Sequence, residues 1–339
     1  MTKAIYRTWP LLQERLKTVR PKEYDIVTYK LHYHFTGHDA APRFELDPNA
    51  PVVQWYRRYR EGSPFRVEDW DEFRDPDEIT YWRYNIMQDD AEEYIDHLLR
   101  QAEIDNYDRK LEQRWLLVLR DYYGPMRYPY HGLQMMAMYL MQLAPASSIS
   151  NCHAFCGMDN LRVLQRIAYR VKMLDIAYPT LGFGKEDQRT WEDNGVFQPL
   201  REAIERGLCA YDWGEGFAVL NLVLKPLVDE LFLTHFAELA LINGDHLLMD
   251  MQRNFYLDAL RHRRWVTALV QFAVGRNAAN QPLLEGHVAK WFPLAWRGVE
   301  AFQPVFEHKN INKIKFQNVL TSLRRTYTEF LQAAGLKAP

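Results

Sequence analysis

The chain lacks the features that mark several large classes of protein. Its 339 residues carry 42 basic and 44 acidic side chains, a formal net charge of −2. It therefore has no excess of positive charge with which to bind nucleic acid phosphates or anionic lipids. Its richest apolar stretch, 133–146, is interrupted by Gln134 and Gln142. No apolar run is long enough to cross a bilayer, and we expect no membrane span.

Cysteine is also scarce. Cys152, Cys156 and Cys209 are too few for a disulfide framework in a chain of this length, which fits a reducing compartment. The first residues lack the apolar core of a secretory signal. The hydrophobic fraction of 47% is that of a globular protein, and the aromatic fraction is 14%. The sequence predicts a folded, cytoplasmic protein with many aromatic side chains.

The chain divides into two regions of different texture. Residues 1–89 are rich in proline and aromatics, have little helical periodicity, and predict an extended N-terminal arm for subunit contacts. Alternation over 24–33 predicts a short extended segment within that arm. The alternative is that the arm's rings cover the chain's own helices. The rings are Trp55, Tyr56, Tyr59, Phe65, Trp70, Phe73, Tyr81, Trp82 and Tyr84.

From residue 90 to 339 the spacing of apolar residues is helical throughout, and we expect one bundle domain with additional C-terminal helices. Phe217, Leu220 and Leu224 illustrate the three- and four-residue spacing of a buried helix face. The predicted helices are 90–102, 107–122, 126–143, 150–178, 196–208, 214–243, 245–275, 281–306 and 312–333.

Three motifs have chemical precedents but carry weak signals. The histidines His32, His34 and His38 have no matching cysteine or carboxylate to complete a metal site. The Cys-His-x-x-Cys stretch at 152–156 has no second cysteine pair, which favours core packing. The segment 182–185, Gly-Phe-Gly-Lys, lacks the strand and the ending of a phosphate-binding loop.

Long helices raise the question of a two-iron centre, which a four-helix bundle builds from glutamates and two Glu-x-x-His motifs. The chain contains no Glu-x-x-His sequence. Two segments nevertheless have the frame of the motif without its ligands: Asp-Asn-Leu-Arg-Val at 159–163 and Asp-Ala-Leu-Arg-His at 258–262. Alone they are weak evidence, because Asp and Arg three residues apart are common on helices.

With these segments in view, the sequence resembles the β (small hydroxylase) subunits of soluble bacterial multicomponent diiron monooxygenases, in the branch that includes toluene, alkene and isoprene monooxygenases. The similarity extends over most of the chain. The matching segments include Arg7-Thr8-Trp9, 23–27, Leu31-His32-Tyr33, Asp75-Pro76-Asp77, Tyr84-Asn85, Gln88-Asp89, 144–147, 149–152, 159–162, Ala168-Tyr169-Arg170, 212–215, 221–223, Lys225-Pro226 and 261–265.

The resemblance implies an all-α, ferritin-like (ribonucleotide-reductase-like) bundle with a long extended N-terminal arm. It implies a noncatalytic structural subunit of a hydroxylase that uses O2 and NADH-derived electrons to hydroxylate or epoxidise aromatic or alkene hydrocarbons. The implied partners are a catalytic α subunit holding two irons and a small γ subunit, assembled as a dimer of αβγ. An effector protein and an iron–sulfur electron donor act on that complex. No cofactor is expected in this chain.

Aligning the chain with the catalytic pattern of the family implies six vestigial ligand positions. They are Tyr130, Asn160, Val163, Lys225, Ala259 and His262. Only the histidine keeps a ligating side chain, and the lysine adds a positive charge, so no metal is expected. We expect Lys225 to be buried, with Asp159 and Asp258 as candidate partners; the alternative is a surface position beside Pro226.

Two other functional classes remain open on the residues alone. One is a freestanding ferritin-like diiron oxidase or oxygenase with an irregular ligand set. The other is a monomeric helical ligand-binding protein, which would be stable without a partner. The interface prediction centres on the arm residues Trp55, Tyr56, Tyr59, Trp70, Tyr81, Trp82 and Tyr84.

Overall fold

The computed structural model describes residues 22–29 and 49–339, and within these ranges every regular element is a helix and none is a strand. The all-α prediction is confirmed for this part of the chain. The helices are α1 (Glu23–Thr28), α2 (Pro51–Tyr56), α3 (Tyr81–Ile104), α4 (Gln113–Val118), α5 (Arg127–Leu143), α6 (Ser147–Ala177), α7 (Asp187–Asp193), α8 (Gln198–Gly207), the composite rod α9 (from Trp213–Phe217 to Phe236–Ile242), α10 (His246–Arg276), α11 (Asn280–Glu300), α12 (Gln303–Phe306) and α13 (Phe316–Ala333).

The rod α9 is the centre of the bundle. It alternates α-helical and π-helical stretches: Trp213–Phe217 (α), Ala218–Leu224 (π), Lys225–Asp229 (α), Glu230–His235 (π) and Phe236–Ile242 (α). Every residue from 217 to 233 is buried. The rod is buried on all sides and lies in the interior, where α5, α10, α11 and α13 pack against it.

The Asp-x-x-Arg segments lie on the long helices α6 and α10, and the shorter helix α3 packs against both. The helix α3 lies against both α6 and α10, to which its inner side chains are hydrogen-bonded. Thr80 caps its start by accepting a hydrogen bond from the Arg83 backbone N–H. Asp245 caps α10 in the same way through the Leu248 N–H, and its other carboxylate oxygen accepts from the Trp115 indole.

The long helices were predicted closely, but the region before residue 90 was not. Helix α3 begins at Tyr81 rather than at 90, because Thr80 supplies a cap that the proline-rich composition obscures. The extended segment expected over 24–33 is wrong where it is described, since Glu23–Thr28 is helical; its last residues lie outside the described ranges. Helix α2 starts with Pro51, a residue that the first turn of a helix accepts readily. The short helix α7 had not been predicted.

The chain from 49 to 80 crosses its own bundle. Phe65 is 1% exposed, and its ring centroid lies 6.3 Å from that of Trp213 and 5.6 Å from that of Phe217. The Asp75-Pro76-Asp77 turn receives two backbone hydrogen bonds on the Asp75 carboxylate. None of the helices in the described ranges is both long and apolar enough to span a bilayer.

Two glycines of α11 provide a matched test of the packing. A Cβ at Gly298 would lie 2.9 Å from the backbone Cα of Leu200, whereas a Cβ at Gly286 would meet nothing within 4 Å. Gly298→Ala should therefore lower the free energy of unfolding by about 1–3 kcal/mol through overpacking against α8. Gly286→Ala should raise it by up to about 1 kcal/mol through helix propensity. Urea denaturation of both variants checks this, and equal effects at the two positions would contradict it.

Candidate functional site

The six positions that the resemblance marks as vestigial are all buried. They are Tyr130 on α5, Asn160 and Val163 on α6, Lys225 on α9, and Ala259 and His262 on α10. Hydrogen bonds join three of them. Tyr130 and Lys225 both bind Asp229, and Lys225 also donates to Asn160. Val163 and Ala259 belong to the apolar core. The interior thus holds a polar cluster made of Tyr130, Asn160, Lys225 and Asp229, here called the Lys225 cluster.

Lys225 is 3% exposed, which confirms the buried position and excludes the surface alternative. Its Nζ lies 2.9 Å from Asp229 Oδ2 and 3.0 Å from Asn160 Oδ1. Burial is the largest single influence on the pKa of Lys225 and acts to lower it. The opposing influences, of which the charge of Asp229 is the largest, together raise the pKa overall. The side chain is therefore a buried ammonium ion held by a buried carboxylate.

The partner of Lys225 was predicted wrongly. Asp229, not Asp159 or Asp258, neutralises it. The signal was present in the sequence, because a lysine and an aspartate four residues apart share one face of an α-helix. Tyr130 adds to the pair, since its hydroxyl donates to Asp229 Oδ1 at 3.3 Å. Burial, followed by the nearby Asp229 charge, raises the pKa of Tyr130 well above its usual value, so the phenol stays protonated.

The two Asp-x-x-Arg segments bind each other across the interface of α6 and α10. Arg162 Nη1 lies 2.8 Å from Asp258 Oδ2, and Arg261 Nη2 lies 2.6 Å from Asp159 Oδ2. Each arginine thus pairs with the aspartate of the opposite helix. This reciprocal arrangement, here called the cross-brace, explains why neither aspartate is free to pair with Lys225.

Helix α3 closes the cross-brace from one side. The Tyr84 hydroxyl donates to Asp159 Oδ1 at 2.9 Å, and Gln88 Nε2 donates to Asp258 Oδ1 at 2.8 Å and to Asp159 Oδ1 at 3.3 Å. Glu92 forms ion pairs with Arg162 and Arg166. Burial and the neighbouring Asp159 raise the pKa of Asp258 to about 6, while the arginines oppose that shift. No sequence pattern indicated Gln88, although Tyr84 and Gln88 both lie in segments that match the family.

The Cys-His-x-x-Cys stretch belongs to the core, as predicted. Cys152 and Cys156 are buried, and burial raises the pKa of the Cys156 thiol to about 12. His153 Nδ1 lies 3.0 Å from the Ile149 carbonyl oxygen, and its Nε2 lies 3.2 Å from the Asn221 amide nitrogen. Because the carbonyl can only accept, the neutral imidazole donates from Nδ1 and accepts at Nε2.

The remaining motifs supply no site. Gly182 and Gly184 have positive φ angles of 75° and 76° and shape a turn that leaves Lys185 exposed. The three histidines of 32–38 lie outside the described ranges. In residues 22–29 and 49–339, no three His, Cys, Asp or Glu side chains are grouped so that they could hold a metal ion. At the six vestigial positions an ammonium, an amide and two apolar side chains do not fit the ligand set of a diiron centre.

The aromatic rings between 55 and 84 divide between the core and the surface. Four are buried in the chain's own core, namely Tyr56, Phe65, Phe73 and Tyr84. Tyr56 and Tyr84 therefore expose little of their rings to another subunit, and the ring of Tyr84 stacks on Phe155 at 4.6 Å. Tyr59 and Trp70 are half-buried against the core. Trp55, Tyr81 and Trp82 are exposed by 36%, 66% and 67%.

The fold is a helical bundle in which the Asp-x-x-Arg segments of two helices face each other. A sequence model of the methane, phenol and alkene hydroxylase family matches residues 55–277. The chain belongs to this family.

The relatives in this family include hydroxylase subunits of named enzymes. The chain is 40% identical over 318 residues to the β subunit of the hydroxylase component of the toluene-4-monooxygenase system of Ectopseudomonas mendocina, covering 94% of this chain and 95% of that protein. It is 23% identical to the small subunit of the hydroxylase component of propane 2-monooxygenase of Gordonia sp., covering 83% and 77%.

Solved structures give the same result. The fold matches a structure of toluene 4-monooxygenase with toluene bound in its resting active site, with a TM-score of 0.83 and 41% identity over 90% of this chain and 99% of that one. A structure of phenol hydroxylase from Pseudomonas sp. OX1 matches with a TM-score of 0.81 at 22% identity, over 100% and 98% of the two chains, and this likeness concerns the fold. The recognition made from the sequence is confirmed.

The buried imidazole of His153 makes the stability of the fold depend on pH. Burial lowers its pKa from 6.5 to about 4, so the folded state favours the neutral ring. As the pH falls from 6.5 towards 4, the unfolded chain takes up a proton on His153 before the folded chain does. The free energy of unfolding therefore decreases over this range, by about 3 kcal/mol, and is unaffected by His153 above pH 6.5. His153→Gln should therefore be less stable at pH 7.5 but have a flatter stability profile between pH 6.5 and 4.5.

Urea unfolding at a series of pH values measures both profiles. His131→Gln, at an exposed histidine of α5, is the matched control and should keep the wild-type slope. Parallel profiles for wild type and His153→Gln would show that His153 is not the group responsible.

Proposed function

We propose that this chain is the noncatalytic, structural β subunit of the hydroxylase component of a multicomponent diiron monooxygenase. The complex would use O2 and NADH-derived electrons to hydroxylate or epoxidise aromatic or alkene hydrocarbons in the cytoplasm. The observation that carries the proposal is the 40% identity, over 94% of the chain, to a hydroxylase β subunit. The two irons and the substrate pocket would lie in a catalytic α subunit, and a small γ subunit would complete a dimer of αβγ.

The interior of the chain supports a structural role. The Lys225 ammonium stands inside the bundle with its counter-charge on Asp229, and the cross-brace occupies Asp159 and Asp258 with arginines. No carboxylate of these two groups is left to ligate a metal. What the interior does instead is hold four helices in a fixed relation, because α5, α6, α9 and α10 all contribute to it.

The outer side of the cross-brace supports a contact with another subunit. Tyr81, Trp82 and Ile86 on α3 are exposed by 66%, 67% and 48%, and Leu257 and Leu260 on α10 by 62% and 38%. The two leucines are next in sequence to Asp258 and Arg261, through which α10 binds to α3. We name this set the α3–α10 face.

The proposed occupant of the α3–α10 face is the catalytic α subunit. Large apolar side chains are costly to leave in water, and an exposed group of them, including a tryptophan and a tyrosine, is typical of an interface. The relatives are subunits or components of multi-chain hydroxylases, which supplies a partner for such a surface. Permanent interfaces of this kind commonly bury more than about 2,000 Å². Of the arm residues first considered, Tyr81 and Trp82 remain the strongest candidates.

Trp82→Asp tests the docking surface. The carboxylate would enter the first turn of α3, where the helix dipole accommodates it, so the fold should persist. Loss of a buried interface tryptophan costs about 2 kcal/mol or more, which corresponds to at least about a 30-fold weaker complex. Co-expression with the neighbouring hydroxylase chains, followed by affinity capture and size exclusion, measures the retained α subunit.

Met135→Asp is the matched control, because Met135 is an exposed apolar residue of a different helix, α5. It should leave assembly unchanged. An α subunit that is retained as well by Trp82→Asp as by wild type would place the interface elsewhere.

Metal content separates the proposed role from that of a freestanding diiron oxidase. The chain, purified without partner subunits after growth in iron-rich medium, should contain no stoichiometric iron, because the Lys225 cluster carries its own cation. Plasma mass spectrometry measures the iron directly, and the co-expressed complex serves as the positive control. About two irons per isolated chain, the complement of a diiron bundle, would overturn the proposal.

A further inference from the structure

We propose that the Lys225 cluster is a cation-binding site built into the bundle, filled by the chain's own ammonium group. When the side chain is shortened, the vacated site should take a small primary alkylammonium ion. The inference concerns only the interior of this chain and does not depend on the proposed function.

The first argument is the set of oxygen atoms around Lys225 Nζ. Asp229 Oδ2 lies at 2.9 Å and Asn160 Oδ1 at 3.0 Å, distances expected for charge-assisted hydrogen bonds from an ammonium. The two oxygens come from α9 and α6, so the cation links two helices. The second carboxylate oxygen accepts from the Tyr130 hydroxyl of α5 at 3.3 Å, which brings in a third helix.

The second argument is that these oxygens are held in place independently of the lysine. The Asn160 amide nitrogen lies 3.7 Å from Cys156 Sγ, which orients the amide oxygen towards Lys225. Asn160 and Tyr130 are both 0% exposed and Asp229 is 1% exposed. A site whose hydrogen-bond acceptors are fixed before the ligand arrives loses little entropy on binding, so its preference for a cation should outlast the loss of the lysine side chain.

The third argument concerns charge. In the part of the chain that the structure describes, Asp229 forms its only ion pair with Lys225. The nearby Arg263 is paired with Glu230, at 2.9 Å between Nη2 and Oε2. Removing the ammonium would therefore leave a buried carboxylate without an ion-pair partner among the described residues, which is among the costliest changes in a protein interior.

The fourth argument concerns His262, a neighbouring residue whose ring nitrogens make no hydrogen bond within the described residues. The residue is 2% exposed. Burial, and next the charge of Lys225, lower the pKa of the imidazole, so the ring is neutral and has a lone pair. A neutral imidazole beside a vacated cation site adds a further acceptor for an ammonium ion.

The chemistry of the ligand follows from the atoms that a substitution removes. Lys225→Ala keeps Cβ and deletes three carbons and the nitrogen, which together correspond to n-propylammonium. This ion carries three N–H donors in the position of Nζ and an apolar chain for the space beside Leu224 and Val228, both buried. Tetramethylammonium has the same charge but no N–H group and should not bind.

The test compares thermal unfolding of the full-length chain, with all variants measured in the same state of assembly. Lys225→Ala should lower Tm by roughly 5–10 °C, the shift expected when a buried pair loses one partner. Addition of n-propylammonium chloride during purification and melting should restore at least half of that loss. Tetramethylammonium chloride at equal concentration should not, and wild type should respond to neither salt.

Two further variants keep the result interpretable. Lys225→Met removes the charge but fills the space, so it should be destabilised and insensitive to n-propylammonium. Lys225→Met combined with Asp229→Asn removes both charges and should have a higher Tm than Lys225→Met alone, even if Lys225→Ala does not fold.

Three results would overturn the proposal. One is a Tm of Lys225→Met equal to that of wild type. Another is an n-propylammonium effect of the same size in Lys225→Met as in Lys225→Ala. The third is a double variant that is no more stable than the single one.

Discussion

The structure depends on one constraint: a helix that water does not reach must satisfy its polar groups inside the protein. Every residue of α9 from 217 to 233 is buried, yet the rod carries Asn221, Lys225, Asp229 and Glu230. Each of these side chains has a partner on its own or a surrounding helix, and those partners fix how the neighbours pack. Burying these polar groups costs free energy of desolvation. The hydrogen bonds and ion pairs that they form specify one packing geometry more than they add stability.

The cross-brace is a framework of ion pairs between two helices that the side chains of this chain form themselves. Asp159, Arg162, Asp258 and Arg261 pair across two helices with distances of 2.6–2.8 Å. Asn160 and Ala259 follow the two aspartates, and Val163 and His262 follow the two arginines, at positions that the family resemblance marks as vestigial ligand positions. Reciprocal ion pairs with additional hydrogen bonds from Tyr84 and Gln88 hold α3, α6 and α10 together.

Sequence reasoning worked best where the physics is local. The three- and four-residue spacing of apolar side chains located α5, α6 and α10 to within a few residues, because each of them has a buried apolar face, and the long apolar run of α9 located the rod. It failed where tertiary contacts decide. The rings of Tyr56 and Tyr84 are as apolar as that of Trp82, and only the path of the chain across the bundle buries the first two. The partner of Lys225 was missed for a similar reason, since the arginines that occupy Asp159 and Asp258 come from facing helices.

The π-helical stretches of α9 have a consequence for how its length can change. A π-helical turn closes its hydrogen bonds one residue later than an α-helical turn, so each stretch accommodates residues that a regular helix would have to expel. Losing one residue between 218 and 224 could turn that stretch into ordinary α-helix without breaking the rod. Because the π-helical stretch had held the extra residue, the polar side chains that follow would keep their orientation about the helix axis. A deletion within 218–224 would therefore leave Lys225 facing its partners, whereas a deletion in a regular α-helical stretch would rotate every later side chain by about 100°.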